Sequence, residues 1–144
     1  MHKINNLKIA IASWPDDEAI LKQIRRTVFI EEQSVPEALE WDEHDQTATH
    51  FLVRVDNAAV ATARLKTDGQ IGRMAVLPAY RNQTIGQQLL SFVLATAVKQ
   101  GISHVFLHAK VTAISFYKKQ GFIEQGDIFM DANIPHREMF LRIL

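Results

Sequence analysis

None of the 144 residues is cysteine, so disulfides, thiolate metal sites and a cysteine nucleophile are excluded. Glycine and proline are scarce, at six and four residues, which excludes fibrous repeats and low-complexity linkers. Neither sign of charge is in excess, because 16 Lys and Arg balance 16 Asp and Glu. Without a basic surplus, nothing draws the chain to nucleic acid. No apolar run is long enough to span a bilayer. The segment MHKINNLKIA lacks the apolar core and small-residue cleavage site of a secretion signal. The six histidines never fall into an H-E-x-x-H or similar spacing, so no metal is expected. What remains is a globular composition, 47% hydrophobic, long enough for a real core. The expectation is one domain over residues 1–144, cytoplasmic, with neither nucleic acid nor membrane as partner.

Periodicity orders the chain. Leu7 to Ala12 reads as a strand. Trp14-Pro15-Asp16-Asp17 reads as a helix start, with proline early and acids in the first turn. Ile20, Leu21, Ile24 and Val28 carry that helix to about Glu31. Residues 33–46 are polar and irregular and read as a loop. Phe51, Val53 and Val55 alternate along a strand, and Asp56-Asn57 turns it into a second one over Ala58–Leu65. A turn at Thr67-Asp68-Gly69 precedes a third, Gln70 to Val76. Thr84 to Lys99 is the strongest helix, with Ile85, Leu89, Phe92, Val93 and Ala97 as its stripe and Gln100-Gly101 as its stop. Strand Ser103–His108, helix Val111–Gln120, a strand from Phe122 and a last strand Glu138–Ile143 follow. The order β-α-β-β-β-α-β-α-β-β predicts a mixed α/β fold.

The stretch MAVLPAYRNQTIGQQLL, from Met74 to Leu90, places an arginine and a lone glycine at the opening of an apolar helix. Helix N-termini carry unpaired N–H groups and partial positive charge, which suits an anion. Arg81 adds a fixed cation there, and Gly86 permits close approach. Neither a Walker A loop nor GxGxxG is present. Alone, the stretch fits a plain strand-to-helix turn as well as an anion cradle.

Its surroundings tip the balance. RNQTIG, Arg81 to Gly86, resembles the Q/R-x-x-G-x-G/A signature of GNAT N-acetyltransferases. About thirty residues on, AISFYKKQGF, Ala113 to Phe122, resembles that family's A-x-x-F-Y-x-x-x-G-F hallmark. Order and flanking elements agree over nearly the whole chain. Arg26 to Gln33, Pro36, Leu39-Glu40-x-Asp42 and Ile134-Pro-His136-Arg137-x-Met139 are similar to the ElaA/YjcF-like sub-group. Thr84 stands where the family has glycine. With Thr84 in ordinary helical angles the cradle would keep its N–H groups and gain a hydroxyl.

The resemblance implies the GNAT acyl-CoA N-acyltransferase fold, with acetyl-CoA as co-substrate and no metal. It implies transfer by direct attack of an amine, from a small molecule or a protein, on the thioester. A non-catalytic CoA-binding module and an O-acetyltransferase are the alternatives. Asn82, Gln83, Thr84, Ile85, Gly86 and Gln87 would bind the pyrophosphate through backbone N–H groups, with Arg81 alongside. Met74, Ala75 and Val76 would hold the pantetheine arm as an added strand. Phe116 and Lys119 complete the expected cofactor contacts. Tyr117 is the candidate proton donor to the leaving sulfur, whose thiol has a reference pKa of about 8.5. A lysine-like amine, with a reference pKa of about 10.4, needs a base. Glu31 to Asp45 holds seven acids and no Lys or Arg. Such a run is ordinarily a solvated loop, but here it would attract a cationic acceptor, with Glu32, Glu40 and Asp42 as candidate bases and Arg25 as an alternative partner for Glu32. His108 is a further acid/base candidate, while Gln33, His136 and Arg137 are candidate acceptor contacts, with pairing to the acidic segment as the structural alternative for the last two. His50 reads as structural. A homodimer through an exposed strand edge is the family-level expectation.

Overall fold

The computed structural model describes residues 6–144. Ser13, Pro15 and two acids start the first helix α1 (Trp14–Arg25), and the Asp17 carboxylate accepts from the Ser13 N–H at 2.9 Å. This satisfies one orphan donor of the first turn. The chain does not stop near Glu31 as a plain helix. It widens after Arg25 into a π-helical segment, Arg26–Glu32.

Seven strands form one sheet in the order β1-β2-β3-β4-β5-β7-β6. Their bounds are β1 Leu7–Ala12, β2 Thr49–Val55, β3 Ala58–Leu65, β4 Gln70–Val76, β5 His104–Lys110, β6 Ile123–Asp131 and β7 Ile134–Arg142. The last strand begins four residues before the sequence pattern indicates, because it is drawn into a hairpin with β6 by pairing from Ile123↔Phe140 to Asp131↔Ile134. The segment expected as a loop holds a short helix α2 (Glu37–Glu40) and a 3-10 turn (Glu43–Gln46). Helix α3 is Ile85–Lys99, and the helix expected over 111–120 divides into a 3-10 turn (Val111–Ala113) and α4 (Ile114–Lys119).

Strand alternation separates two cores. Phe51, Val53 and Val55 of β2 face α3, where Leu89, Leu90 and Val93 are buried. Leu52 faces the other way, onto Leu21, Ile24 and Val28. Burying each such side chain stabilises by about 1.5–3 kcal/mol. The first half of the sheet is therefore covered on both faces.

All neighbours pair antiparallel except β4 and β5, which run parallel through only two pairs, Gln70↔Phe106 and Ile71↔Leu107. Gly69 pins the base of this contact. Its carbonyl accepts from Phe106 N–H at 3.1 Å, and a Cβ on it would lie 2.6 Å from the His104 carbonyl oxygen. Past Gly72 the register of β4 against β3 slips, with Arg73 at φ 48°. A bulge of this kind bends and twists its strand, and beyond it β4 and β5 part into an open wedge.

Candidate active site

A cleft of about 190 Å³ lies at the wedge. Its walls come from the π segment and α2 (Phe29, Gln33, Leu39, Glu40), β4 (Arg73, Met74), β5 (His108, Lys110), α4 (Tyr117) and the β6–β7 hairpin (Asp131, His136). Of the acceptor and acid/base residues expected from sequence, Gln33, Glu40, His108, Tyr117 and His136 meet here.

On the wedge side β4 offers a partly free edge. Leu77 N–H donates to Val60 O at 2.9 Å, and Ala75 sits opposite Thr62. Alternation then turns the polar groups of Met74 and Val76 away from β3, toward the gap. Ala75, expected with them, spends its backbone groups on β3. The Val76 carbonyl is also engaged, accepting from Arg81 Nε at 2.9 Å.

Beyond this edge α3 begins. The first bond of its opening turn runs from Gln88 N–H to Thr84 O at 3.0 Å, leaving the N–H groups of Ile85, Gly86 and Gln87 without helical acceptors. Thr84 is not in helical angles. It is left-handed, at φ 65° and ψ 7°, and its hydroxyl accepts from Gln88 Nε2 at 2.9 Å rather than facing outward as a free contact. This is the conformation a glycine would supply without strain; threonine bears a cost of about 1–2 kcal/mol. Asn82 is left-handed too, at φ 61°. A Cβ on Gly86 would enter the space between Phe116 and Val76, 3.7 and 4.0 Å from them. The glycine leaves that space open. The unpaired strand edge, the orphan N–H groups and this gap fit a long ligand with an anionic diphosphate.

The candidate acids are committed elsewhere. Arg81 donates both terminal nitrogens to Glu32 at 2.6 Å each. Glu32 thus pairs with Arg81 and not with Arg25, and the guanidinium holds its carboxyl below the usual range. Glu40 is buried and accepts from Arg25 Nε at 2.8 Å, with Arg73 Nε 3.1 Å away. Burial pushes its carboxyl up against those cations. Asp42 takes Arg64 at 2.7 Å and Arg73 at 3.3 Å. Asp45 takes Arg25 and Arg64 at 2.9 Å each. Three carboxylates meet three guanidiniums, and Glu37 pairs with Arg26 at 2.7 Å, so among the described residues only Glu31 and Glu43 of the seven acids lack an arginine or lysine partner, and the segment is far less negative than its acid content suggests. Those three guanidiniums come from α1, β3 and β4, which a local reading of residues 31–45 does not reach. His50 is structural, stacked on Trp14 at 4.5 Å with Nε2 2.8 Å from the Asp45 carbonyl oxygen.

Basic groups with a free lone pair sit on the opposite wall. His108 Nε2–H donates to Glu138 at 3.3 Å, leaving Nδ1 as an acceptor. Gln125 Nε2 donates to the other oxygen of Glu138. The His136 Nδ1–H donates to Ile134 O at 2.7 Å, leaving Nε2 as an acceptor. The two imidazoles flank Phe129, at 5.1 and 5.9 Å between centroids. Arg137, one residue on, points to the other face of β7. It pairs with Glu124 at 2.8 Å and Gly126 O at 2.9 Å, so it touches neither the cleft nor the acidic segment.

Tyr117 packs edge-on between Phe116 and Phe122, at 5.0 and 5.9 Å. Burial pushes its phenol up to about 12. That value lies about 3.5 pH units above a thiol, so complete transfer of its proton to a thiolate is uphill by about 5 kcal/mol. Tyr117 is suited to donating a hydrogen bond to sulfur rather than to giving up its proton. Lys119 is exposed on α4 and does not line the cleft.

Lys110, Glu138, Phe129 and Asp131 were not singled out from the sequence. The signal was present for the first two: with β5 read to Lys110, alternation puts Phe106, His108 and Lys110 on one face, and β7 pairing puts Glu138 opposite His108.

Residues 11–143 match the family model of the acetyltransferase (GNAT) domain. Protein ElaA of Escherichia coli is 33% identical over 132 residues, covering 86% of each chain. Its crystal structure superposes with a TM-score of 0.83 over 94% of this chain and 99% of that one. The N-acetyltransferase YjcF of Bacillus subtilis is 32% identical over 120 residues, covering 81% of this chain and 86% of its own. An acyl-CoA N-acyltransferase of Pseudomonas aeruginosa superposes with a TM-score of 0.85 at 27% identity, over 94% of this chain and 99% of its own.

Proposed function

From a chain that belongs to the GNAT acetyltransferase family and is therefore an acyl-CoA-dependent acyltransferase, we propose an N-acetyltransferase that uses acetyl-CoA and a primary amine, with His108 as the base. The observation that carries this reading is the wedge itself. The partly free edge of β4 leads toward the orphan N–H groups of α3, and Tyr117 and His108 line the cleft at the wedge beside that edge.

Acetyl-CoA supplies an acyl group activated as a thioester, with a thiolate as the leaving group. The N–H groups of Ile85, Gly86 and Gln87 receive its diphosphate. The N–H groups of Met74 and Val76 receive the arm as an added strand. The acceptor arrives largely protonated, and the Nδ1 lone pair of His108 takes its proton, directly or through one water. Glu138 and Gln125 hold the ring in the tautomer that exposes this lone pair. The nitrogen then forms its bond to the acyl carbon as the carbon–sulfur bond breaks, and the nitrogen releases its second proton to solvent. Tyr117 donates a hydrogen bond to the departing sulfur, which takes its proton from solvent.

The test is release of free thiol from acetyl-CoA across a panel of primary amines. The expected result is turnover with at least one amine, and a His108→Ala variant whose kcat falls roughly 10²–10⁴-fold while acetyl-CoA affinity stays within about twofold. Full turnover by that variant, or no thiol release with any amine, sinks the reading.

A further inference from the structure

Among the described residues, one cation lining the cleft has no ion-pair partner within 4.0 Å. Arg73 and Glu40, both on the wall, hold each other at 3.1 Å. Lys110 closes β5 on the same face as His108 and opposite His136, and it is half-buried in the wall. Among the described residues it has no ion pair within 4.0 Å and no side-chain hydrogen bond. The charges whose fields it feels, Glu32 and Arg81, are joined to each other at 2.6 Å. Burial already disfavours its charge. A half-buried ammonium without a partner is costly unless something in the cleft completes it. Its place on the His108 face and opposite His136 puts it in the acceptor half of the cleft, with Arg81 of the α3 opening near enough for its field to reach.

We propose that Lys110 is an anion subsite in the acceptor half of the cleft and that the acceptor is an amine bearing a carboxylate, in the simplest case an α-amino acid. This rests on the transferase reading above. A carboxylate on Lys110 would anchor the acceptor so that its amine faces His108. Asp131 on the hairpin lip is the one other charged lining residue outside the Arg73–Glu40 pair, and it would favour a purely cationic acceptor instead. The two recognition modes therefore predict opposite preferences.

The experiment compares matched acceptors with the full chain and acetyl-CoA, reading free thiol: phenylalanine against phenethylamine, and leucine against isopentylamine. The carboxylate-bearing member is expected to have a kcat/KM at least tenfold higher. In Lys110→Met that ratio falls toward one, mainly through KM. A second measurement needs no turnover: calorimetric binding of N-acetylphenylalanine to the CoA-saturated protein, weakened at least tenfold by the same substitution. Lys110-dependent binding without thiol release from any amine supports the subsite and counts against the His108 chemistry. The proposal is overturned by preference for the amines lacking carboxylate, by N-acetylphenylalanine binding that ignores Lys110 or is absent, or by a Lys110→Met defect confined to acetyl-CoA affinity.

Discussion

Replacing Tyr117 by phenylalanine removes one oxygen and leaves the ring where it is. The ring's contacts are with Phe116 and Phe122, edge-on at 5.0 and 5.9 Å, and neither involves the hydroxyl. Stability is therefore expected to stay within about 0.5 kcal/mol of the parent. The loss falls on the step in which charge gathers on sulfur. A hydrogen bond to a charged group contributes about 1.5–3 kcal/mol, which corresponds to a roughly 10- to 150-fold drop in kcat. Acetyl-CoA affinity is expected to hold within about twofold, because the uncleaved thioester carries no charge for the phenol to stabilise. The phenol lies at about 12, so it stays protonated from about pH 6 to 9 and the ratio of parent to variant kcat should be flat across that range. Thiol-release kinetics across pH, with calorimetric binding of acetyl-CoA, decide the matter. An unchanged kcat refutes the donor role, and a ratio that swings with pH refutes the assignment of a hydrogen bond in place of proton transfer.

Three further outcomes follow from the ion pairs. Burial raises the Asp45 carboxyl, but the hydrogen bonds and charges of Arg25 and Arg64 outweigh it and hold the folded value below 3.8. Its contribution to stability is thus complete above that value and is lost as pH falls through the lower folded one. Denaturant melts should show stability dropping below about pH 4. Asp45→Asn should cost about 3–5 kcal/mol at neutral pH by leaving two buried guanidiniums short of charge; a cost under about 1 kcal/mol would mean the cluster is not closed as described. Glu32→Gln frees Arg81 from a pair that is about one-third exposed on both sides and so is worth only about 0.2–1 kcal/mol. Acetyl-CoA should bind about 1.5- to 5-fold tighter by calorimetry, whereas weaker binding would show that Glu32 aims Arg81 at the ligand.

What the sequence conveyed well was local. Strands β1, β3 and β4 fall on their expected bounds, and the sequence of helices and strands matches throughout, with α2 added. These elements are set by alternation, helical spacing and turn residues that lie within a few positions of each other. The candidate cradle could be read from sequence for the same reason, since Arg81, Thr84 and Gly86 fall within six positions of the chain. The partners of the acids were not. Glu32 meets a cation 49 positions away, Asp42 one 22 away and Glu40 one 15 away, and only the folded sheet decides which cation reaches which carboxylate. The left-handed angle of Thr84 was not legible for a conformational reason. A β-branched residue argues against a left-handed angle, yet the turn into α3 imposes one, and this explains why a glycine suits the position.

The acidic segment still bears on catalysis, although through the backbone rather than through a proton. Arg73 sits at φ 48° in the β4 bulge, a conformation that costs about 1–3 kcal/mol and persists only where its surroundings over-determine it. Those surroundings are the segment itself. The Arg73 guanidinium donates to the carbonyl oxygens of Leu39 and Glu40 and to Asp42, and lies 3.1 Å from the Glu40 carboxylate. Arg25, at 1% exposure, clamps Glu40 from the other side. Each bond ties the bulge to α2 and the residues after it, and the last β4–β5 pair, Ile71↔Leu107, lies two residues before Arg73. The same carboxylates that are too well paired to accept a substrate proton therefore anchor the bulge at the edge of the gap toward which Met74 and Val76 turn their backbone groups. With these acids engaged in ion pairs, His108 is the proposed proton acceptor.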